Sequence, residues 1–506
     1  MAHEAVMAIS RSFLSDVTDV KLPTDVKELF ENGLEVYECN DEPNGTAGFT
    51  SVILKYGAEL RYRELSVTEA SVLRRVLSMG PPVRKLFLQQ ISLCPFKVAF
   101  HNQETCPSLK EVHIDFVECE GKALSVSRCG MFRSLHSLHL CSVNSGSAFA
   151  EDIASYVRQN RSLRELSLCT SCGGDEGVAT LMQALAGNDT LKRFSLADME
   201  LSSDTLTGFA NMLVFNSALE MVNLTDVCSV EKDKVLSLLG QELYAGVFKR
   251  LKIQWPEELL PELTALLSVE GCCPELSVSV TPSACEAVLR EFFGALAADK
   301  TLRVLRFLSN EDTFEAFADG IVSGLRRTTT LRAVNIGMCV DSAKARQLID
   351  LLDALKENRS VAKFAISTEV VTPEIATSLS ELLAVNNTLN DVAIFNYCEI
   401  LPGEVETIVK GSKTNYTLTS FVVYSECNDC EGVREMAAIL QRNNRLKNKA
   451  AEFVILGADA ADEIGVDALR KVHSSDALVE MVQRLTGRTR EEALEDIQAA
   501  LASLPS

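Results

Sequence analysis

NRSLRELSL, residues 160–168, sets the frame in which the rest of the chain is read. Its leucines form the spacing Leu163-x-x-Leu166-x-Leu168, and that spacing recurs as Leu191/Phe194/Leu196, Leu219/Val222/Leu224, Leu302/Leu305/Phe307 and Leu331/Val334/Ile336. It continues as Val361/Phe364/Ile366, Leu389/Val392/Ile394 and Leu418/Phe421/Val423. Upstream copies are Val83/Leu86/Leu88, Leu109/Val112/Ile114 and Leu135/Leu138/Leu140. Two weaker copies, Phe248/Leu251/Ile253 and Cys273/Leu276/Val278, occupy the middle. Anchors lie 25 to 30 residues apart, so the 506-residue chain reads as a stack of one repeated unit rather than the three domains its length alone suggests.

The same stretch opens with Asn160-Arg-Ser162, a glycosylation sequon by pattern. Asn160, Asn188, Asn358, Asn386 and Asn415 all begin such triplets, and all stand three residues before an anchor. That register marks the turn from a helix into the next strand. Asn tolerates the left-handed conformation that helix ends use, so these residues are expected to cap helices rather than carry sugar.

Each unit has two halves. The Leu-x-x-Leu-x-Leu segment is a short strand with alternate residues pointing in and out. A helical half follows, as in DEGVATLMQALAGN with Val178, Leu181, Met182 and Leu185 on one face, or PEIATSLSELLAVN with Ile375, Leu379, Leu382 and Leu383. Neither half buries its apolar face alone, so neighbours must stack into one continuous core.

The frame, helix and period of about 28 residues resemble the ribonuclease-inhibitor type of leucine-rich repeat, the type that also forms the arrays of NOD-like receptors. The resemblance covers roughly residues 57–450 and implies an α/β leucine-rich-repeat solenoid, a curved horseshoe with parallel strands on the concave face and helices on the convex face. The expected organisation is an N-terminal cap at 1–56, about 13–14 repeats over 57–450, and a C-terminal helical cap or docking unit at 451–506. Within the N-terminal part, residues 34–39 and 49–56 suggest a hairpin, and residues 60–78 a degenerate repeat. Leu446-Lys-Asn-Lys449 reads as a failing last copy, and Thr489-x-x-Glu492 as a capping box opening a terminal helix. No GxxxxGK[ST] is present, so the nucleotide-binding domain of a NOD-like receptor is missing from this sequence.

A formal net charge of -21 argues against a nucleic-acid partner. The N-terminal apolar run is too short for a signal peptide, and no uncharged apolar run reaches membrane-spanning length, which points to a cytoplasmic protein. The sixteen cysteines are then expected to be reduced. Cys172, Cys228, Cys398 and Cys427 stand nine residues after their anchors, where buried packing is expected; Cys169/Cys172 and Cys427/Cys430 form CxxC pairs that also fit redox or zinc chemistry. His113, His139, Asp115 and Cys141 fall on neighbouring rungs and offer a zinc-type ligand set, weighed against a polar face that happens to use histidine. GxSxG and HExxH motifs are absent.

The expected function is therefore non-catalytic: a scaffold or receptor-like binder of another protein, in immune-type signalling by resemblance, with no cofactor, metal, membrane or small-molecule substrate. Outward strand positions count six basic and five acidic residues, so the acidic total does not dictate a basic ligand. Aromatic and arginine residues dominate interface energetics, which selects Phe87, Arg193, Arg250, Lys252, Trp255, Arg306, Phe395 and Tyr424 as partner-binding candidates. Trp255 also fits packing at the irregular central repeats. Two alternatives stand beside this reading. An F-box-like start at residues 22–30 suggests a ubiquitin-ligase substrate receptor, and the His and Cys sets suggest a metal- or redox-dependent enzyme.

Overall fold

The computed structural model describes residues 35–36, 58–63, 67–78, 83–100, 108–118, 125–141, 146–169, 172–281, 285–309, 314–340, 345–368, 371–396, 400–423, 431–457 and 463–504. The F-box-like segment at 22–30, Cys398, Cys427, Cys430 and Tyr424 lie outside the described residues, as does the proposed 34–56 hairpin apart from residues 35–36.

The chain divides into two compact units between Gln254 and Trp255. The first holds strands β1 (Glu35–Val36), β2 (Ala58–Arg63), β3 (Val83–Ser92), β4 (Glu111–Glu118), β5 (Ser137–Cys141), β6 (Glu165–Cys169), β7 (Arg193–Ala197), β8 (Met221–Asn223) and β9 (Leu251–Lys252). They pair strictly in sequence order. β1 runs antiparallel to β2, and all later pairs are parallel. The helices between them are α1 (Val67–Ser78), α2 (Leu93–Phe100), α3 (Gly146–Gln159), α4 (Gly174–Ala186), α5 (Ser203–Phe215) and α6 (Lys232–Leu239).

The second unit repeats the scheme with β10 (Gln254–Pro256), β11 (Glu275–Val280), β12 (Val304–Ser309), β13 (Ala333–Val340), β14 (Lys363–Thr368), β15 (Asp391–Asn396) and β16 (Ser420–Val423). Its helices are α7 (Leu260–Ser268), α8 (Glu286–Ala298), α9 (Phe314–Arg327), α10 (Ala345–Glu357), α11 (Pro373–Val385) and α12 (Pro402–Ser412). The long α13 (Glu431–Leu456) then leads into α14 (Glu463–Val472), α15 (Asp476–Thr486) and α16 (Arg490–Ala502).

The leucine-rich-repeat architecture thus stands in each unit. Leu163, Leu191 and Leu219 are buried in line, as are the inward strand residues Leu166, Leu168, Phe194, Leu196, Val222 and Leu224. Helix residues Val178, Leu181 and Leu185 close the core from the other side. Each such side chain stabilises by roughly 1.5–3 kcal/mol, so repetition rather than any single contact holds the stack.

The asparagines of the opening motif are the polar counterpart of this core. Asn160, Asn188, Asn358, Asn386 and Asn415, joined by Asn216, are only 2–5% exposed and out of reach of glycosylation. Each side chain spans two repeats. Asn386 Nδ2 donates to the Leu355 carbonyl at 2.7 Å and the Asn358 carbonyl at 3.2 Å, while its Oδ1 accepts from Thr388 N and Leu389 N at 2.8 Å each. Asn216 repeats the pattern on Leu185, Asn188, Ala218 and Leu219. The expected left-handed backbone is absent: Asn216 (φ -87°, ψ 111°) and Asn386 (φ -89°, ψ 122°) are extended. The side chain itself satisfies the amides entering the strand and the carbonyls leaving the previous helix, so no backbone reversal is needed.

The ladder is broken at several anchors, where Phe132, Ala245, Glu270, Asp299 and Thr328 replace the asparagine, and one of these breaks is filled by a side chain from elsewhere. At Ala245, three residues before the Phe248 anchor, no amide side chain exists, and the backbone is helical rather than extended. Arg250 fills the place. Its guanidinium donates to the carbonyls of Leu213 (2.5 Å), Asn216 (2.6 Å) and Leu219 (3.1 Å). Leu213 and Asn216 are the carbonyls that an asparagine would bridge one rung earlier at Leu185 and Asn188. Arg250, expected on the recognition face, is instead turned into the framework because its long side chain can reach back where asparagine is missing. Trp255 is likewise corrected: it is 2% exposed and serves packing.

The supposed last copy at Leu446–Lys449 is helical, within α13. The charge at Lys449, three residues past Leu446, suits a helix surface and not the inward position it would take in a strand. Asn443 nevertheless keeps the ladder register and donates to the carbonyls of Asn415 (3.1 Å) and Leu418 (2.7 Å). α13 then runs through position 450 and packs Ala450, Ala451 and Phe453 against Val466, Leu469, Leu478, Val482, Ala493 and Ile497. The Thr489/Glu492 capping box forms at the start of α16.

Candidate functional site

Outward strand residues align by register into columns. In the first unit one column reads Lys85, Glu111, Ser137, Glu165, Arg193 and Met221. The next reads Phe87, His113, His139, Ser167, Ser195, Asn223 and Lys252. Parallel strands bring successive members about 4.8 Å apart, close to the stacking distance of flat rings.

Three rings use that spacing. Phe87 stacks on His113 with centroids 4.3 Å apart and planes at 21°, and His113 stacks on His139 at 3.9 Å and 6°. Polar partners fix the column from the side. Lys85 Nζ stands 2.6 Å from Glu111 Oε2, and His113 Nε2 pairs with Glu111 Oε1 at 2.8 Å. Ser137 Oγ hydrogen-bonds His139 Nε2 at 2.9 Å, and Glu165 lies 3.5 Å from Arg193.

Electrostatics follow from this packing. Burial works to raise the Glu111 carboxyl, but hydrogen bonds from His113 and Lys85 and their charges outweigh it and bring it down to about 2. Burial, helped by neighbouring His113, lowers His139 to about 4. At neutral pH this strip therefore presents an ionised Glu111 and an uncharged His139 ring.

The zinc-type reading of His113 and His139 does not match this geometry. Ligand lone pairs lie in the ring planes, and two nearly parallel planes 3.9 Å apart do not aim at one point. Among the described residues no group of three or more His, Cys, Asp or Glu is arranged to hold a metal ion. The described CxxC pair is no redox centre in form. Cys172 is buried and its thiol pushed up to about 12 by burial. Cys169 donates to Asp198 Oδ2 at 2.6 Å, and burial together with that carboxylate raises its pKa.

The candidates fall into three groups. Phe87, Arg193 and Lys252 share the first sheet's outward face, with Arg193 48% exposed. Arg306 and Phe395 stand on the second sheet, with Phe395 37% exposed. Arg250 and Trp255 belong to the framework. Around Arg306 the second face is sparse in charge, its column continuing through Asn335, Ala365, Ala393 and Val422. There Lys363 pairs at 2.9 Å with Glu480 of α15, an ion pair that links β14 to the terminal helices. No local pattern announces Glu480, because it meets its partner across 117 residues. Ser137 and Asp198 were also overlooked; the register of the repeat was the available signal for Ser137.

No protein-family model matches the chain. Curated relatives carry the same repeats. Ribonuclease inhibitor of Sus scrofa is 32% identical over 149 residues, covering 28% of this chain and 32% of that protein. NACHT, LRR and PYD domains-containing protein 12 of Mus musculus is 33% identical over 126 residues, covering 25% and 11%. Ribonuclease inhibitor of Mus musculus is 32% identical over 136 residues, covering 26% and 30%. The chain matches about a third or less of the length of these relatives. Among solved structures, a chain of the Rad7 and Elc1 complex in yeast covers 75% of this chain and 94% of its own length at 14% identity and a TM-score of 0.38, too loose an overlap to bear on function.

Proposed function

We propose that this chain, whose leucine-rich repeats are similar to those of ribonuclease inhibitor, is a non-catalytic binder of another protein and uses the outward strand face of its first unit. The observation that carries this reading is the pre-stacked Phe87–His113–His139 column held by Lys85, Glu111, Ser137, Glu165 and Arg193. Side chains already ordered on strands lose little freedom when a partner arrives, which is what a recognition surface needs. Phe87 and Arg193 are the proposed energetic anchors, with Lys252 at the far end of the same column and Arg306 and Phe395 as contacts of the second unit. An immune-type signalling setting is the finer form of this proposal, supported by the stretch shared with the NACHT-, LRR- and PYD-containing protein. A cytoplasmic location is supported by the free cysteines and by the lack, among the described residues, of any helix long and apolar enough to cross a membrane.

The test is affinity capture with wild type, Phe87→Ala, Arg193→Glu and the double variant, each checked for an unchanged melting temperature. A prey captured by wild type and lost in the double variant is the expected result. Capture indifferent to both substitutions overturns the assignment of this face.

A further inference from the structure

The ring column ends at His139, and the two positions that continue it in register are Ser167 and Ser195. Asn223 closes the row on the next strand. Three strand spacings separate His139 from Asn223, about 14 Å. Serines fill little of that height, whereas flat groups stack at about 3.5–4 Å. Glu165 borders this gap on one side, 38% exposed and sharing its charge with Arg193. Asp198 borders the other, exposed beyond the end of β7 and fixed by the Cys169 thiol. The result is a slot with an aromatic end wall, a hydroxyl floor and a carboxylate on each long edge.

We infer that this slot receives an arginine side chain of the protein partner, its guanidinium plane stacked on His139 and its two edges hydrogen-bonded toward Glu165 and Asp198. This inference rests on the proposed binding face and names the chemistry that face selects. Guanidinium is planar and permanently charged, it stacks on rings, and it carries donors on more than one edge. Lysine offers charge without a plane. A phenol offers a plane with a single polar tip. A carboxylate or phosphate meets two like charges. Glu165 holds Arg193 on Oε1 at 3.5 Å and accepts from Ser137 Oγ on Oε2 at 3.4 Å, and each carboxylate oxygen keeps a second lone pair for an incoming guanidinium. The neutral state of His139 supports the stack, since a protonated ring would repel the ligand.

The probe is the tripeptide Ac-Gly-Arg-Gly-NH2, titrated into the full chain and followed by imidazole NMR resonances, with lysine and citrulline counterparts as controls. Millimolar binding of the arginine peptide, at least fivefold tighter than either control and shifting the His139 ring signals, is expected. Ser167→Phe fills the slot and removes that binding. Asp198→Asn, which leaves the floor untouched, weakens it at least threefold and guards against a folding artefact of the first variant. Equal binding of the arginine and lysine peptides, arginine binding unaltered by both variants, or no arginine binding at all overturns the slot. The broader proposal has its own readout: if capture of a protein prey still depends on Phe87 and Arg193 while the arginine peptide fails, only the slot is lost.

Discussion

Replacing Arg250 with alanine separates a recognition role from a framework role. Its guanidinium satisfies three carbonyls at 2.5, 2.6 and 3.1 Å, two of which occupy the places that asparagine bridges elsewhere. Stranding a buried acceptor costs about 1–3 kcal/mol. Arg250 is half-buried, so water reaches part of the vacated space, and burial already depresses its pKa, so removing the charge returns some of the loss. The net expectation is a destabilisation of about 3 kcal/mol for Arg250→Ala. In a unit of this size that corresponds to a fall in melting temperature of about 6–12 °C. Arg250→Lys keeps the charge but not the fork, and should lose about half as much. Adding Ala245→Asn to Arg250→Ala should not rescue stability, because residue 245 has a helical backbone (φ -54°, ψ -31°) unlike the extended ladder asparagines. Calorimetry or urea titration reads all three. An Arg250→Ala variant that melts with wild type yet loses its prey would refute the framework assignment and return Arg250 to the binding surface.

Further expectations follow from the same geometry. Asn386→Ala removes four hydrogen bonds at a site 2% exposed and should destabilise its unit by about 3–4 kcal/mol in urea titration, whereas Thr388→Ala beside it should cost under about 1 kcal/mol. Acid should weaken the first unit in two windows. His139 takes its proton at about 4 when folded against an ordinary value of 6.5, so the unfolded chain binds that proton first and stability declines as pH falls from 6.5 to 4. Glu111, held at about 2, contributes stability present above pH 4.5 that is lost as pH falls toward 2. Each window amounts to about 2–3 kcal/mol after solvent screening, and His139→Gln should flatten the first one in denaturation curves recorded from pH 7 to 4. Glu480→Ala breaks an ion pair with both partners almost half exposed and should change stability by less than about 1 kcal/mol, so a larger loss would show that α15 does more than pair with Lys363. Among the described cysteines, exposed Cys94 and Cys285 should react with a thiol reagent in the native state while Cys172 and Cys272, buried and pushed up to about 12, react only on unfolding.

What could be read in advance was whatever the repeat writes many times. The leucine frame fixes strand, register and inward face, and the asparagine that opens a sequon three residues ahead of five anchors is legible as a structural residue because a chance sequon does not keep one register. Asn216 was missed for an instructive reason: Asn216-Ser-Ala218 is not a sequon, so a search keyed to that pattern passes over a residue with the same hydrogen bonds. Arg250 departs from its expected place because the frame fixes where a Cα lies and which way a short side chain leaves it, while an arginine can reach back over the preceding rung. For the histidine column the sequence gives the neighbours but leaves zinc and a plain polar face as two open readings. Register predicts that His113 and His139 are neighbours, but ring orientation decides between chelation and stacking, and that depends on Glu111 and Ser137.

The end of the second array keeps the register of the repeat and changes its element. A terminal strand normally offers unpaired backbone groups to any passing edge. After β16, Asn443 and Asn444 place side-chain amides on the carbonyls of Leu418 and Thr419, and α13 carries the chain onward without adding a strand. Arg442 donates to the Lys413 carbonyl and stacks over Tyr416, 4.6 Å from the ring centroid, so the turn before β16 is closed as well. The repeat register survives in Asn443 while the strand does not, because Lys449 stands three residues past Leu446, where a strand residue would have to point inward. The carbonyls just ahead of β16 are thus satisfied by side chains, while the four residues of β16 itself stay half-exposed.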